Sequence, residues 1–393
     1  MTFETIARVP AGFPVERVLP HRRLPLLACF DAGRPAVHVL DREGGPRGAI
    51  GAGTAAYDPA APWTRHRRTP AAAWHPDEPL LVVANEEGTW RWTPAGVSAM
   101  DGAPTGAKYR SLAFGPDGSA LWAAPSARYE FPVWERSDVL DLASGAVESA
   151  PLWDTGVAVH PAGGLVATLR SNQGASLVLF AEPGTGLRDR ALILDADGYR
   201  TPVFSADGRH FAVRGNAYEH SVEVFEFPSL RRVLGTTLGS PYPGYDDVTD
   251  EWDEEFRSWS RHNIAFEARL WIGTPGGTLV ELDVDDREAV EHELADGPVT
   301  ALATTTPGEL VAAAGAELVF LTVPTGVPDA GPVAEFLAAT TEVPEGETGF
   351  VRTDGTRDWR SEDLADVTTA EADDPAWLRL QAAVNTARRD RAE

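Results

Sequence analysis

The sequence is poor in cysteine and lysine and has no long apolar run. Cys29 is its only cysteine, which excludes an intramolecular disulfide and a zinc site built from cysteines. Lys108 is its only lysine, so almost all positive charge lies on arginine. No stretch of about 18 apolar residues is present that could cross a membrane. The N-terminus also lacks the basic segment and apolar run of a signal peptide. We therefore expect a cytoplasmic protein with no membrane partner.

Positive charge as a whole is also scarce. The 393 residues include 34 Lys and Arg against 59 Asp and Glu, which gives a formal net charge of −25. Affinity for nucleic-acid phosphates comes largely from Lys and Arg. This balance argues against a nucleic-acid partner and favours an unknown protein partner with a basic surface. Because 43% of the residues are hydrophobic, the chain has ample material for a core.

What the sequence does contain is a repeat. At intervals of roughly 40 to 60 residues, a short apolar strand is followed by a turn rich in Pro, Asp and Gly and by a second apolar strand. Clear examples are AAWHPDEPLLVVAN and LAFGPDGSALWAAPS. A third strand, such as SVEVFEF, and a weaker fourth strand complete each unit. The first strands of the seven units end near Leu19, Trp74, Phe114, Val159, Phe204, Phe266 and Ala303.

Four antiparallel strands repeated seven times predict an all-β protein, a seven-bladed β-propeller. The pattern resembles the WD-type and YVTN-like repeat families over about residues 1–327, most clearly in GPDGSALWAA and VLDLASGAV. The resemblance implies blades whose strands, named a to d, run from the central channel outward. No strand c ends in the Trp-Asp pair of WD repeats, so the resemblance predicts a fold rather than a function. We expect residues 1–327 to form the propeller domain.

The seventh unit supplies only three strands and stops near Val323. The segment ETIARV, residues 4–9, precedes the first unit and can provide the missing outer strand. We therefore predict that the N-terminal strand closes the last blade, with Thr5–Val9 paired to Glu317–Val323.

Residues 328–393 are predicted to form an acidic C-terminal extension that ends in a helix over about 375–389. Asp374 can accept hydrogen bonds from the first turn of this helix. Two docking sites stay open: the propeller itself and another protein. The predicted buried stripe of the helix consists of Trp377, Leu380 and Val384.

The connectors of a propeller divide between its two faces. Turns between strands a and b lie on the bottom face, whereas connectors from b to c and from d to the next a lie on the top face. In this chain the a–b turns are short, and the long connectors and all seven tyrosines fall on the top. This indicates a protein-binding top face, although the loops could instead form a cap over one another. Its predicted residues are Arg65, Arg67, Arg68, Tyr129, Phe131, Trp134, Tyr218, His220, Tyr245, Trp252, Phe256 and Trp259.

One top connector is YDDVTDEWDEEFRSW, residues 245–259, which we call the acidic connector. Seven of the ten residues 246–255 are acidic. Disordered segments have few aromatic residues, and those here recur at helical spacing, so we predict a short amphipathic helix or an ordered loop. Its acids would face a basic partner or, as the alternative, the basic segment Arg65–Arg68. The aromatic residues are Trp252, Phe256 and Trp259.

A second candidate site lies at the mouth of the predicted channel. The tripeptides KYR, GYR and RHN come just before three of the inner strands. Arginine binds carboxylate and phosphate in a bidentate manner, so these residues could hold an anion. The alternative is that they pair with Asp154 or neighbouring acids. The predicted anion-site residues are Tyr109, Arg110, Tyr199, Arg200, Arg261 and His262.

Catalytic motifs are not evident. The sequence has no G-x-S-x-G, H-E-x-x-H, G-x-x-x-x-G-K-[ST] or G-x-G-x-x-G. His75 and His160 occupy the same turn position before Pro, which indicates a structural role. We therefore predict a non-catalytic scaffold, without metal or cofactor, that binds a protein through its top face. The alternative is a site for an anionic small molecule at the channel mouth, binding or enzymatic.

Overall fold

The computed structural model describes residues 3–61, 64–127, 136–151, 157–172, 174–183, 186–343 and 350–392. The fold is a seven-bladed β-propeller, as predicted. In blades 1 to 6, four antiparallel strands pair in chain order, and the seventh blade takes its outer strand from the N-terminus. Among the described residues, no helix combines the length and apolar character needed to cross a membrane.

The chain forms two compact units. Unit 1 comprises Met1–Gly156, Ser205–Asp207 and Pro243–Val327, and unit 2 comprises Val157–Phe204, Gly208–Tyr242 and Pro328–Glu393. Unit 1 therefore holds blades 1, 2, 3, 6 and 7, and unit 2 holds blades 4 and 5 with the C-terminal extension. The proposed domains, residues 1–327 and 328–393, stay a prediction.

The blades of unit 1 follow the predicted repeat of a short inner strand, a tight turn and a second apolar strand. Their strands, blade by blade, are Val15–Pro20, Leu26–Asp31, Val37–Asp41 and Pro46–Ile50; Ala71–Trp74, Leu81–Asn85, Gly88–Thr93 and Gly96–Ala99; Ser111–Phe114, Ala120–Ala124, Arg136–Asp141 and Val147–Pro151; Ile264–Phe266, Leu270–Gly273, Thr278–Asp283 and Glu288–Glu293; and Val299–Thr306, Glu309–Ala314, Glu317–Thr322 and Glu4–Pro10. Among the described residues of unit 1, two short helices and a 3-10 turn lie in connectors: Arg65–Arg68, Asp250–Ser258 and Tyr245–Asp247.

The N-terminal strand closes blade 7, which confirms the predicted pairing. Glu4–Pro10 runs antiparallel to Glu317–Thr322 and forms the outer edge of that sheet. Arg8 adds side-chain contacts to the ladder. Its Nη1 lies 2.7 Å from Glu317 Oε2, and its Nη2 donates to the carbonyl of Leu294 at 2.5 Å. The first and last strands of the propeller therefore belong to one sheet.

Tryptophans in the strands of unit 1 pack within the sheets. Trp92 and Trp271 are buried, and Trp74 and Trp90 are half-buried. The indole N–H of Trp74 donates to the carbonyl of Leu19 at 2.8 Å, and its ring meets Trp92 edge-on with centroids 5.8 Å apart. The Trp74 bond to Leu19 joins blade 2 to blade 1, and the burial of the strand tryptophans agrees with a position in the sheet core, as their place in apolar strands predicts.

The described residues of unit 2 form two blades and three helices, and part of the C-terminal extension enlarges a blade. Val351–Thr353 pairs in parallel with strand d of blade 4, Arg190–Leu194, and makes this sheet six-stranded. The strands are Val157–Val159, Val166–Asn172, Ala175–Ala181, Arg190–Leu194, Val351–Thr353 and Asp358–Trp359 in blade 4, and Val203–Phe204, His210–Arg214, Ser221–Glu226 and Arg232–Thr237 in blade 5. The helices are Gly331–Ala339, Ser361–Asp366 and Ala376–Ala392.

The C-terminal helix docks on blade 4, but with a different face from the predicted one. Trp377 and Leu378 are buried against Ile193, whereas Leu380 and Val384 are 53% and 37% exposed. The predicted buried stripe was therefore wrong, because the helix is rotated about its axis so that Leu380 and Val384 face solvent. The buried face also contains polar residues, so its helical spacing is not visible as a run of apolar residues in the sequence. Asn385, for example, donates to the carbonyls of Leu364 and Val367 at 2.8 and 2.7 Å.

The start of this helix is also capped differently from the prediction. The backbone N–H of Trp377 donates to Oδ1 of Asp195, in blade 4, at 3.0 Å. Asp374 instead accepts from the backbone N–H of Glu371 and pairs with Arg357 at 2.8 Å. One backbone N–H of the first turn is therefore satisfied by a carboxylate distant in sequence, and this bond also links the helix to blade 4.

Candidate functional site

The acidic connector contains a helix, Asp250–Ser258, which is one of the two predicted forms. Trp259, the third residue of the predicted stripe, follows the helix in an extended conformation. Thr249 precedes the helix in an extended conformation, and its hydroxyl accepts from the backbone N–H of Trp252 at 3.2 Å. Asp250 and Glu251 lie in the first turn, near the positive end of the helix dipole. The local sequence thus explains where the helix begins and why acidic residues are favourable in its first turn.

The aromatic residues of the acidic connector lie against the protein. Trp252 and Phe256 are half-buried and stack with ring centroids 4.9 Å apart, and the Arg261 guanidinium lies 6.0 Å from the Phe256 ring. After the helix, Ser260 donates a hydrogen bond to the carbonyl of Thr300 in blade 7. The bond from Ser260 fixes the chain just after the acidic connector to blade 7.

Most of the seven carboxylates of the acidic connector face outward. Asp253 pairs with Arg257 one turn later. Five other acids are exposed and have no ion-pair partner among the described residues. They are Asp246, Asp247, Asp250, Glu251 and Glu254.

The basic segment Arg65–Arg68 is a single helical turn whose charges are largely neutralised nearby. Arg65 lies 2.7 Å from Glu16, and Arg68 forms a bidentate pair with Glu86. Both guanidinium groups also lie over the ring of Tyr57, at 4.5 and 5.7 Å from its centroid. Burial, followed by the charge of Glu16, raises the pKa of Tyr57 to about 12. Neither carboxylate partner belongs to the acidic connector.

Arg67 and Arg110 form a small basic patch in unit 1. Arg67 is exposed and makes no ion pair among the described residues. Arg110 donates to the carbonyl of His66 at 2.7 Å. Burial, and then the like charge of Arg67, lower the pKa of Arg110. This geometry is compatible with the predicted anion site, which stays a prediction.

Tyr109 and Tyr199 have internal partners at equivalent positions in two blades. Each precedes strand a, and each hydroxyl donates to the third residue of strand c in its blade. Tyr109 donates to Asp138 at 2.7 Å, and Tyr199 donates to Glu223 at 2.9 Å. Burial is the largest cause that raises the pKa of both tyrosines, and the neighbouring carboxylate raises it further. These contacts give both side chains a role within their own blades.

The remaining predicted anion-site residues are divided between the two units. Arg200 is exposed in unit 2, where its backbone N–H donates to the carbonyl of Arg214 at 3.0 Å. Arg261 and His262 belong to unit 1 and are half-buried. The His262 carbonyl accepts from Leu302 in blade 7 at 2.8 Å. Asp154, the acid proposed as an alternative partner, lies outside the described residues.

The other predicted top-face residues differ in exposure. Tyr245 is 78% exposed, and Tyr218 is partly exposed beside Tyr242, with ring centroids 5.5 Å apart. His220 is buried, and its Nδ1 lies 3.1 Å from the Arg214 guanidinium. Three residues lie outside the described part of the chain: Tyr129, Phe131 and Trp134. The protein-binding set therefore stays a prediction, centred on the acidic connector.

One feature that the sequence interpretation missed is Arg22, which lines a cavity on the a–b side of blade 1. Its signal is visible on inspection: HRRLPLL in blade 1 aligns with HPDEPLL in blade 2, so Arg22 stands where the second turn has Pro76. Arginine is common in surface turns, so the residue type alone does not indicate a site.

No protein-family model matches this chain, and no curated protein matches it either. Function must therefore be argued from the residues themselves.

Proposed function

We propose that this protein is a non-catalytic scaffold that binds a basic protein partner through the acidic connector. The observation that carries the proposal is the group of five exposed carboxylates that lack an ion-pair partner among the described residues. Three of them lie on the helix Asp250–Ser258, and the other two lie just before it. The aromatic side of this helix is half-buried, and the Arg261 guanidinium lies over the Phe256 ring. A rigid surface of one charge sign favours fast and selective association with a surface of the opposite sign.

Stabilisation of the helix N-terminus does not account for all five of these acidic residues. Asp250 and Glu251 interact favourably with the helix N-terminus. Glu254 lies beyond the first turn, and Asp246 and Asp247 precede the helix. Like charges at this density repel one another, so an external cationic group would stabilise them.

The basic segment does not serve as an internal partner for these acids. Arg65 and Arg68 are engaged by Glu16 and Glu86, which favours a basic partner over the intramolecular alternative. Membership of the WD-type or YVTN-like families and a cytoplasmic location remain part of the proposal, supported by the repeat pattern and the composition alone.

The test is affinity capture from lysate of the native host, at low and high salt, with mass spectrometry. The wild type is compared with a variant in which the five acids are neutralised: Asp246→Asn, Asp247→Asn, Asp250→Asn, Glu251→Gln and Glu254→Gln. The matched control neutralises five exposed acids of blade 6 and its following connector: Asp285→Asn, Asp286→Asn, Glu288→Gln, Glu293→Gln and Asp296→Asn.

We expect a basic protein that the wild type and the control both retain, that the neutralised variant loses, and that high salt releases. The same set of proteins from all three would refute the acidic connector as the binding site. Equal loss of the captured protein in the control variant would show that binding depends on the overall charge of the protein and not on the acidic connector.

A further inference from the structure

Unit 1 contains a cavity of about 180 Å³ between the a–b turns of blades 1 and 7. Its wall is largely apolar and includes Leu24 and Phe320, and Thr306 adds a hydroxyl. For scale, an apolar cavity of about 150 Å³ in another protein binds benzene. The space therefore suits a ligand of one small ring rather than a large cofactor.

The arginines at this cavity differ in how their charges are balanced. Arg42 pairs with Glu309 and lies over the Phe320 ring, 5.6 Å from its centroid. Arg23 pairs with Asp77 at 2.7 Å. Arg22 makes no side-chain hydrogen bond and no ion pair among the described residues. One positive charge at the cavity is therefore uncompensated.

Arg22 is reached by solvent but crowded by protein. Its side chain is exposed, yet burial among protein atoms, and then the like charge of Arg23, lower the pKa of its guanidinium. A side chain in a concave site is both reached by solvent and surrounded by protein atoms. This agrees with the position of Arg22 in the cavity wall. A partly desolvated, unpaired guanidinium binds an anion more strongly than one in open solvent.

The turn itself does not require Arg22. In blade 1, Nδ1 of His21 accepts from the backbone N–H groups of the residues two and three positions later, both at 3.1 Å. His75 makes the same two bonds in blade 2, at 3.2 and 2.9 Å. The intervening position there is Pro76. The same turn thus forms without arginine, so folding of the turn does not explain this residue.

We propose that this cavity binds a small organic carboxylate, with the carboxylate on Arg22 and the hydrocarbon part against Leu24 and Phe320. A monoanion fits better than a phosphate dianion because Arg22 supplies one free positive charge. The carboxylate of Glu309, already matched by Arg42, would repel a second negative charge. The planar fork of arginine suits a carboxylate in a bidentate arrangement.

The test is calorimetric titration of the full chain with benzoate, with its neutral analogue benzamide, and with inorganic phosphate. Two variants remove the charge: Arg22→Gln, and Arg22→Pro, which adopts the residue of the blade 2 turn. Arg91→Gln is the control, since Arg91 is a partly exposed arginine on blade 2 that pairs with Asp101 and does not line this cavity. Thermal unfolding of each variant confirms that it is folded.

We expect saturable benzoate binding to the wild type and to Arg91→Gln. Loss of a charge-assisted bond should weaken benzoate binding at least about tenfold in both Arg22 variants. Benzamide should bind the wild type more weakly than benzoate by a similar factor. Absence of saturable benzoate binding, equal affinity of benzamide, or unchanged affinity in a folded Arg22 variant would each overturn the proposal. Tighter binding of phosphate than of benzoate would refute the carboxylate assignment.

Discussion

Nε2 of His21 lies 2.9 Å from the carbonyl oxygen of Glu78, in the corresponding turn of the next blade. Because Nδ1 accepts from two backbone N–H groups, the ring proton must be on Nε2, which donates to Glu78. His160 repeats the link in unit 2, where Nε2 lies 3.0 Å from the carbonyl of Gly208. Neutral histidines thus join successive a–b turns.

The rings of these histidines also pack on the next blade. His21 lies edge-on to Trp74, His75 to Phe114 and His160 to Phe204, with centroids 5.1 to 5.3 Å apart. Each aromatic partner is the last residue of an inner strand. At Gly118, φ is +73° and an added Cβ would lie 2.1 Å from Nε2 of His75, so only glycine fits under that ring.

Acidification should weaken the fold through His21. Burial, as the largest cause, lowers the pKa of His21 below its usual 6.5. As the pH falls below 6.5, the unfolded state therefore takes up a proton before the folded state does, and the free energy of unfolding decreases. Urea denaturation of the wild type at pH 7.5 and 5.5 should show a lower midpoint at pH 5.5.

The variant His21→Gln separates this effect from other titrating groups, including His38, whose pKa is also lowered mainly by burial. We expect it to lose about 1–3 kcal/mol at pH 7.5, because two backbone N–H groups lose their acceptor. Its remaining pH dependence should be smaller than that of the wild type. A pH dependence equal to that of the wild type would contradict the assignment.

Tyr109→Phe should destabilise blade 3. The variant removes a bond to the buried carboxylate of Asp138, which also accepts from Ser126. Hydrogen bonds to charged groups contribute about 1.5–3 kcal/mol, so the urea midpoint should fall accordingly. The control is Tyr245→Phe, because Tyr245 is exposed and should change stability by less than about 0.5 kcal/mol. Equal midpoints for both variants would argue against a structural role for the Tyr109 hydroxyl.

Removal of residues 1–10 should open the last blade. The deletion exposes the edge of Glu317–Thr322, which now pairs with the N-terminal strand. Exposed strand edges promote aggregation, so we expect a lower unfolding temperature and larger species in light scattering. A synthetic peptide of residues 1–12 should raise the unfolding temperature again and remove the larger species, because it can add the missing strand in trans. A scrambled peptide of the same composition serves as control, and equal rescue by both would count against specific strand pairing.

Two Leu→Ala variants can test which face of the C-terminal helix is buried. Leu378 is 2% exposed and Leu380 is 53% exposed. Leu378→Ala should cost about 2–5 kcal/mol because it leaves a cavity against blade 4. Leu380→Ala should cost about 0.5 kcal/mol or less. Urea denaturation of each variant followed by circular dichroism measures the loss, and a larger loss for Leu380→Ala than for Leu378→Ala would support the buried face predicted from sequence.

The repeat could be predicted from sequence because its determinants are local. Alternation of apolar residues, turns rich in Pro, Asp and Gly, and the missing last strand all lie within short segments, and they led to the seven blades and the N-terminal closure. The aromatic spacing of the acidic connector predicted a helix or an ordered loop for the same reason. Trp252 and Phe256 do stack on the helix, whereas Trp259 lies just beyond its end.

The sequence by itself therefore determined the blades, their order and the amphipathic helix of the acidic connector. The tertiary structure decided which groups are satisfied by distant partners. It placed Asp195 at the start of the C-terminal helix in place of Asp374, and it turned Leu380 outward. It also paired Arg42 with Glu309 but left Arg22 without a partner among the described residues. Capping, burial and charge balance depend on contacts between residues far apart in the chain, and local periodicity carries no information about them.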